Sequence, residues 1–211
     1  MFDRIAPRYD LLNRALTFGL DTRWRKRAVD GLGLRRGSVV LDVACGTGDL
    51  CRDLADADLV PIGVDFSFGM LDAARTGAPL VQGDALALPV ASASVDGAIS
   101  GFALRNFDAL PPVFAELARV TRAGGRIALL DVDEPNQRVL KWGHGVYFGR
   151  VVPFVGGVIS DRDAYRYLPE SVVYLPESGE MCAMLERAGF VDVEHTRLSG
   201  GISQLLLATL S

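Results

Sequence analysis

The sequence predicts a single α/β domain built on a mostly parallel β-sheet with helices on both faces. The chain has 211 residues, enough for one such domain with a full core and too few for a second. Apolar segments of strand length alternate along it with helical segments, which is the pattern of repeated strand–helix–strand units. The first predicted strand runs directly into a glycine-rich turn, residues 42–48 (DVACGTG), and a helix start. That turn should lie at the edge of the sheet where open α/β folds bind ligands.

The individual elements follow from apolar periodicity and from turn residues. Two helical segments open the chain, the second ended by Gly31 and Gly33, and an apolar segment then predicts a strand buried on both faces. Asp65 closes the second strand, and a turn at residues 123–125 (AGG) precedes the fifth. The predicted strands are residues 38–43, 59–64, 79–82, 95–102, 126–132, 191–197 and 201–208. The predicted helices are residues 3–16, 21–32, 48–55, 68–75, 110–120 and 180–188.

We expect one domain over residues 1–211, with an N-terminal helical cap at residues 1–35. Residues 140–158 are apolar enough to suggest a membrane-spanning helix, but charged residues, a proline and several glycines interrupt them. We therefore predict a lid over a pocket, inserted at residues 136–180 before the last strands.

Composition and cysteine usage fit a cytoplasmic globular protein. Apolar residues make up 49% of the chain and charged residues 23%, so disorder is not expected. The chain opens without the basic-then-apolar pattern of a secretory signal. Its three cysteines, Cys45, Cys51 and Cys182, form no Cys-x-x-Cys pair. This argues against a disulfide framework and a zinc site, so no metal is expected and the compartment should be reducing.

The charge distribution excludes one class of partner and suggests another. The net charge of −4 argues against nucleic-acid binding, because phosphate binding needs a concentrated basic surface. Residues 1–40 nevertheless carry nine basic and four acidic residues, a net charge of +5, so the remainder carries −9. The basic cluster around Trp24 is either a solvated face or a weak peripheral contact with an anionic membrane, which would place the protein at the inner face of that membrane.

The glycine-rich turn favours one of two cofactor classes. A dinucleotide-binding turn has a third small residue after Gly46 and Gly48, and Cys51 stands there instead. Asp42 before the turn would repel a pyrophosphate but can accept hydrogen bonds from the ammonium group of S-adenosylmethionine (SAM). Asp65 could then accept from both ribose hydroxyls, and residues 83–85 (GDA) could reach the adenine edge. We therefore predict SAM as the cofactor; a structural glycine turn without a ligand is the alternative.

Over nearly its whole length the sequence resembles the ubiquinone/menaquinone-biosynthesis C-methyltransferase family. An N-terminal signature (Phe2, Asp3, Ala6, Tyr9, Asp10, Asn13 and Trp24) and four motifs carry the resemblance: residues 46–50 (GTGDL), 102–106 (FALRN), 119–126 (RVTRAGGR) and 165–171 (YRYLPES). It implies a class I methyltransferase fold, that is, a Rossmann-like, mostly parallel seven-stranded sheet with an added lid. It also implies carbon methylation of a prenylated hydroquinone in quinone biosynthesis, with demethylmenaquinol preferred as the acceptor.

Site residues follow from the turn and from this resemblance, which carries over Thr47, Asp65, Asp84 and Ala85 as cofactor contacts. The cofactor-binding candidates are Asp42, Ala44, Gly46, Thr47, Gly48, Asp65, Phe66, Met70, Asp84, Ala85 and Gly101. The substrate-binding candidates are Tyr9, Phe102, His144, Tyr165 and Tyr167. A homodimer and a weak membrane contact are the expected associations.

The chemistry points to three catalytic candidates, Arg105, Asn106 and Asp131. An aromatic carbon becomes nucleophilic when a neighbouring hydroxyl loses its proton, so the site must stabilise a phenolate. Arg105 is a permanent cation that could lower the phenol pKa, and Asn106 could orient the water that removes the proton. Alternatively, Arg105 has a structural role only and pairs with a neighbouring carboxylate. In that case Asp131 or His144 is the candidate for the base that removes the phenol proton.

Four departures from the family pattern keep the acceptor open: Asp21 and Leu206 stand where the family has His, Gly101 where it has Ser, and Asp131 where it has Glu. The alternatives are a diverged relative that methylates another small aromatic or polyketide acceptor, and a non-catalytic SAM-binding scaffold of a quinone-synthesis complex.

Overall fold

A computed structural model describes residues 17, 19–133 and 175–211, which form one seven-stranded sheet with helices on both faces. The strands are β1 (Val39–Val43), β2 (Val60–Asp65), β3 (Leu80–Gln82), β4 (Val95–Gly101), β5 (Thr121–Val132), β6 (Phe190–Leu198) and β7 (Ser203–Leu210). The helices are α1 (Leu20–Leu32), α2 (Asp49–Asp56), α3 (Phe68–Asp72), α4 (Leu110–Val120) and α5 (Ser178–Arg187), with one 3₁₀ turn at Leu104–Asn106.

The strand order is β3-β2-β1-β4-β5-β7-β6, and β7 alone runs antiparallel to its neighbours. The order reverses between β1 and β4, which pair in parallel through Asp42 and Ile99. The carboxyl ends of these two strands therefore meet at the switch point of the sheet, where open α/β folds bind ligands. The predicted fold class is confirmed.

Two apolar cores hold the layers together. On one face α1 and α2 pack on the sheet through residues such as Leu32 and Leu54. On the other face α4 and α5 do so through residues such as Phe114 and Leu185. The first strand has four buried residues in five, as expected for a strand covered on both sides.

Two predicted bounds differ from the structure by three or more residues. Strand β5 begins at Thr121, five residues before the predicted start at residue 126, because the strand includes the glycine turn. Gly124 has φ +74°, and the pairing register between β4 and β5 shifts at this turn. Helix α3 ends at Asp72 rather than at residue 75.

The Trp24 ring, at the centre of the basic cluster, points inward and cannot itself contact a membrane. Trp24 is buried, its indole N–H donates to Ser199 Oγ at 2.8 Å, and its ring lies 6.3 Å from that of Phe102. The exposed positions of α1 include the cations Arg23, Lys26 and Arg27, together with Thr22 and Asp30. Among the helices of the described residues, none is long and apolar enough to cross a membrane. The expected helix at residues 3–16 and nearly all of the expected lid lie outside these residues.

Candidate active site

A cavity of about 450 Å³ opens at the switch point of the sheet. The loops that follow β1, β2, β3 and β4 form most of its wall, and α1 contributes Asp21 and Arg25. Ten of the eleven predicted cofactor residues line it. The exception is Gly48, which instead forms the N-cap of α2.

The glycine turn after β1 is shaped by left-handed backbone and by the neighbouring loop. Ala44, Gly46 and Gly48 have φ of +58°, +55° and +81°. A Cβ at Gly48 would lie 2.6 Å from Thr76 Cγ2, so glycine is required there on two grounds. Asp65 ties the turn to the loop after β2, because its carboxylate accepts from Gly46 N at 2.7 Å and from Ser67 N at 2.8 Å. The backbone conformation of these residues and the hydrogen bonds to Asp65 therefore fix the shape of the turn.

Asp42 belongs to the cavity wall and has one carboxylate oxygen without a hydrogen-bond partner among the described residues. The residue is fully buried, and its Oδ2 accepts from Cys51 Sγ at 3.3 Å. Its Oδ1 is buried and has no hydrogen-bond partner within the described part of the chain. Burial raises the pKa of the Asp42 carboxyl well above its ordinary value. A buried, unpartnered carboxylate oxygen on a residue of the cavity wall fits a cationic donor, and the ammonium group of SAM is one.

The opposite part of the cavity suits a nucleoside. Phe66 and Met70 line it after β2, and Phe66 is 74% exposed, so its ring is open for stacking. Asp84 and Ala85 line it after β3. Asp65 lies between this region and the glycine turn, as a ribose-binding residue would. These residues fit the cofactor that the sequence predicts.

Residues 1–209 match the sequence profile of the ubiE/COQ5 methyltransferase family. The chain belongs to this family. A relative from Syntrophotalea carbinolica, named ubiquinone/menaquinone biosynthesis C-methyltransferase UbiE, is 42% identical over 97% of this chain and 90% of the relative. A Thermus thermophilus relative named demethylmenaquinone methyltransferase is also 42% identical, over 97% of each chain.

Solved structures agree on the fold of this ubiE/COQ5 family member. A structure from Anabaena variabilis, described as a methyltransferase of an antibiotic biosynthesis pathway, has a TM-score of 0.66 at 26% identity and covers 84% of this chain and 64% of its own. Phosphoethanolamine N-methyltransferase 2 of Haemonchus contortus, solved with SAM, has a TM-score of 0.65 at 14% identity over 88% and 52% of the two chains, which shows the fold alone. The family and the fold make this chain a SAM-dependent methyltransferase.

Beyond β4, the family motif FALRN places Phe102, Arg105 and Asn106 in the cavity wall. Arg105 Nη1 forms an ion pair with Asp131 Oδ1, and its backbone N–H donates to Asp131 Oδ2 at 3.2 Å. The Arg105 side chain is 8% exposed and Asp131 is fully buried. The alternative that Arg105 pairs with a carboxylate is thus what the structure shows, and Arg105 still reaches the cavity.

Asp131 does not have the position expected of a base. It is absent from the cavity wall, because its side chain lies behind Arg105 and accepts from Val132 N at 2.7 Å. A carboxylate enclosed in this way cannot touch an acceptor in the cavity. We therefore correct its role from base to support of Arg105.

Helices α1 and α2 contribute a polar wall that was not predicted from the sequence. Arg25 Nη1 donates to Asp21 at 2.6 Å and lies 3.1 Å from Asp49, while its Nε donates to Asp53 at 2.6 Å. Thr17 Oγ1 donates to Asp21 at 2.7 Å. Arg25 was counted with the basic surface, but its burial and its spacing of four residues from Asp21 make it an internal ion pair. The i,i+4 spacing was the signal that could have found it.

The departures from the family pattern do not all concern the site. Asp21 and Gly101 line the cavity, whereas Leu206 is buried in the apolar core under α4 and α5. Leu206 therefore gives no reason to expect a changed acceptor. Four substrate-binding candidates, Tyr9, His144, Tyr165 and Tyr167, lie outside the described residues.

Proposed function

We propose that this enzyme transfers the methyl group of SAM to a ring carbon of a prenylated hydroquinone, with demethylmenaquinol as the preferred acceptor. The names of the two relatives that are 42% identical support the acceptor class. The observation that carries the proposal is Arg105: a guanidinium in the wall of the cofactor cavity, held there by a buried carboxylate.

The cofactor's methionine end would be held by Asp42, its ribose by Asp65, and its adenine by Phe66 with Asp84 and Ala85. When bound, SAM supplies an electrophilic methyl group on a sulfonium. The remaining tasks of the protein are to align the acceptor and to exclude water.

Arg105 would act on the acceptor's hydroxyl. A fixed cation beside a phenol lowers the phenol pKa, and the resulting phenolate gives electron density to the ring carbon. The ion pair with Asp131 fixes the position of the guanidinium before the acceptor binds. Asn106, also in the wall, would orient a water molecule that carries the proton away. Phe102 would contact the acceptor ring.

The experiment compares acceptors under anaerobic conditions. The purified protein is given SAM with short-tailed demethylmenaquinol, its oxidised quinone, a tail-less naphthohydroquinone and a hydroxylated polyketide aromatic. We expect methylation of the reduced, tailed acceptor and none of the oxidised one, which lacks the phenol proton. Preference for the polyketide would favour the diverged-relative alternative, and SAM binding without turnover on any acceptor would favour the scaffold.

We also infer a cytoplasmic enzyme that makes weak contact with the inner membrane face, where a prenylated acceptor resides. Arg23, Lys26 and Arg27 are exposed on α1 and provide a cationic surface. Liposome flotation should show binding to anionic vesicles that falls as salt is added, because salt screens exposed charges. Retention that does not change with salt would contradict the electrostatic contact. Homodimer formation stays a prediction, which analytical ultracentrifugation would test.

A further inference from the structure

Cys51, the third residue of α2, has a buried thiol that contacts the carboxylate of Asp42 in the wall of the cofactor cavity. The side chain is fully buried, and its Sγ lies 3.3 Å from Asp42 Oδ2. The family motif GTGDL ends one residue earlier, at Leu50, so the resemblance assigns no role to Cys51. A dinucleotide-type turn would have a small packing residue here. The thiol instead touches the one carboxylate of the turn.

This contact makes the two oxygens of Asp42 unequal. Oδ2 is occupied by the thiol, while Oδ1 is buried and without a hydrogen-bond partner among the described residues. Asp42 lines the cavity. A donor on Oδ2 restricts rotation of the carboxyl group and keeps the second oxygen available to a ligand.

Cys51 can serve only as the donor in this pair. Hydrogen bonding with the Cys45 side chain, together with burial, raises the pKa of the Cys51 thiol far above the ordinary range. The sulfur in this pair is therefore a thiol rather than a thiolate. When Asp42 is ionised it has no proton to donate, so at a distance of 3.3 Å the Cys51 S–H donates to Asp42 Oδ2.

We propose that Cys51 is a positioning residue for the cofactor, whose thiol holds Asp42 Oδ2 so that Oδ1 accepts from the ammonium group of SAM's methionine end. The inference rests on the geometry of Cys51 and Asp42 and on the cofactor, and not on the identity of the methyl acceptor. The proposal therefore concerns the amino-acid end of the ligand, and Cys51 is expected to have no effect on binding of the nucleoside end.

The test uses two ligands that differ at the amino-acid end. S-adenosylhomocysteine carries the ammonium group, whereas 5′-methylthioadenosine has the same nucleoside and thioether but lacks the amino-acid part. Calorimetry should show that Cys51→Ala weakens binding of S-adenosylhomocysteine by about 3- to 10-fold, the size of one lost hydrogen bond. Binding of methylthioadenosine should stay within about twofold of wild type, since it makes no use of that bond.

Two further variants separate positioning from packing. Cys51→Ser keeps a donor and should recover most of the affinity for S-adenosylhomocysteine, while Cys51→Val fills the space without a donor and should behave like Cys51→Ala. Cys51→Val also replaces Cys51→Ala if the latter melts below the assay temperature. Cys182→Ala, on α5 and away from the cavity wall, is the control that should leave both affinities unchanged. Equal losses for the two ligands, or a serine variant as weak as the alanine variant, would overturn the proposal.

Discussion

Replacing Arg105 by alanine tests the two roles of this residue separately. Its side chain is 8% exposed and pairs with the fully buried Asp131. Removal leaves a buried carboxylate that keeps two backbone donors, the N–H groups of Arg105 and Val132. The variant therefore loses both a folding interaction and, in our account, a cation beside the acceptor.

The stability cost follows from the burial of the pair. Breaking a buried ion pair costs about 3–5 kcal/mol, and the two remaining donors favour the lower value of about 3 kcal/mol. In a chain of 211 residues each kcal/mol lowers Tm by about 2–4 °C, so Arg105→Ala should melt about 6–12 °C below wild type. Adding Asp131→Asn removes the buried charge and should recover at least half of the loss.

The catalytic cost should appear in the rate of methyl transfer. Loss of one electrostatic donor in a dry site lowers kcat by a factor on the order of 100 to 1,000. SAM affinity should change little, because the interaction strengthens only in the transition state. Arg105→Lys should recover part of the rate, since it keeps the charge but not the planar guanidinium. Single-turnover methylation at a temperature where every variant is folded measures this, and near-normal turnover by Arg105→Ala would refute the assignment.

Three further predictions concern the cofactor end. Asp42→Asn should weaken SAM binding roughly 10- to 100-fold by calorimetry, and it should raise Tm at neutral pH. Because the pKa of Asp42 is raised in the folded state, the wild-type protein loses stability as pH increases from the ordinary carboxyl range to that raised value. Asparagine does not ionise, so the variant does not lose stability in this way. A Tm equal to that of wild type at both pH 5 and pH 8 would contradict this prediction. Phe66→Ala should weaken SAM binding by about 2- to 10-fold. Phe68 is 65% exposed but lies outside the cavity wall, so Phe68→Ala is the control and should leave SAM binding unchanged. Equal losses for the two variants would contradict stacking of the cofactor on Phe66. Gly48→Ala should cost about 1–3 kcal/mol more than Gly33→Ala in urea unfolding, because both have positive φ but only the former collides with a neighbour, and equal costs would disprove the collision.

The cofactor end of the site could be predicted from sequence because its parts are contiguous. The strand, the glycine turn and the start of α2 follow one another within residues 39–56, and Asp65 ends the next strand. The position of each motif in the fold therefore follows from the strand that precedes it, because the carboxyl ends of neighbouring parallel strands lie at the same edge of the sheet.

The partners in contacts between distant segments could not be identified from the sequence. The contact between Arg105 and Asp131 joins positions 26 residues apart, and no local pattern indicates that Asp131 lies behind Arg105 rather than in the cavity. The contact between Arg25 and Asp53 joins positions 28 apart and exists because α1 packs beside α2. Counting charges along residues 1–40 placed Arg25 on the surface, whereas the helical period of α1 places it with Trp24 on the buried face.

The central claim is methyl transfer from SAM to a ring carbon of a hydroquinone. We would incubate the enzyme anaerobically with SAM labelled with ¹³C in its methyl group and with reduced, short-tailed demethylmenaquinol, and locate the label by NMR. We predict one labelled methyl group, bonded to the ring carbon adjacent to a hydroxyl-bearing carbon. A label on the hydroxyl oxygen, as a methyl ether, would contradict it.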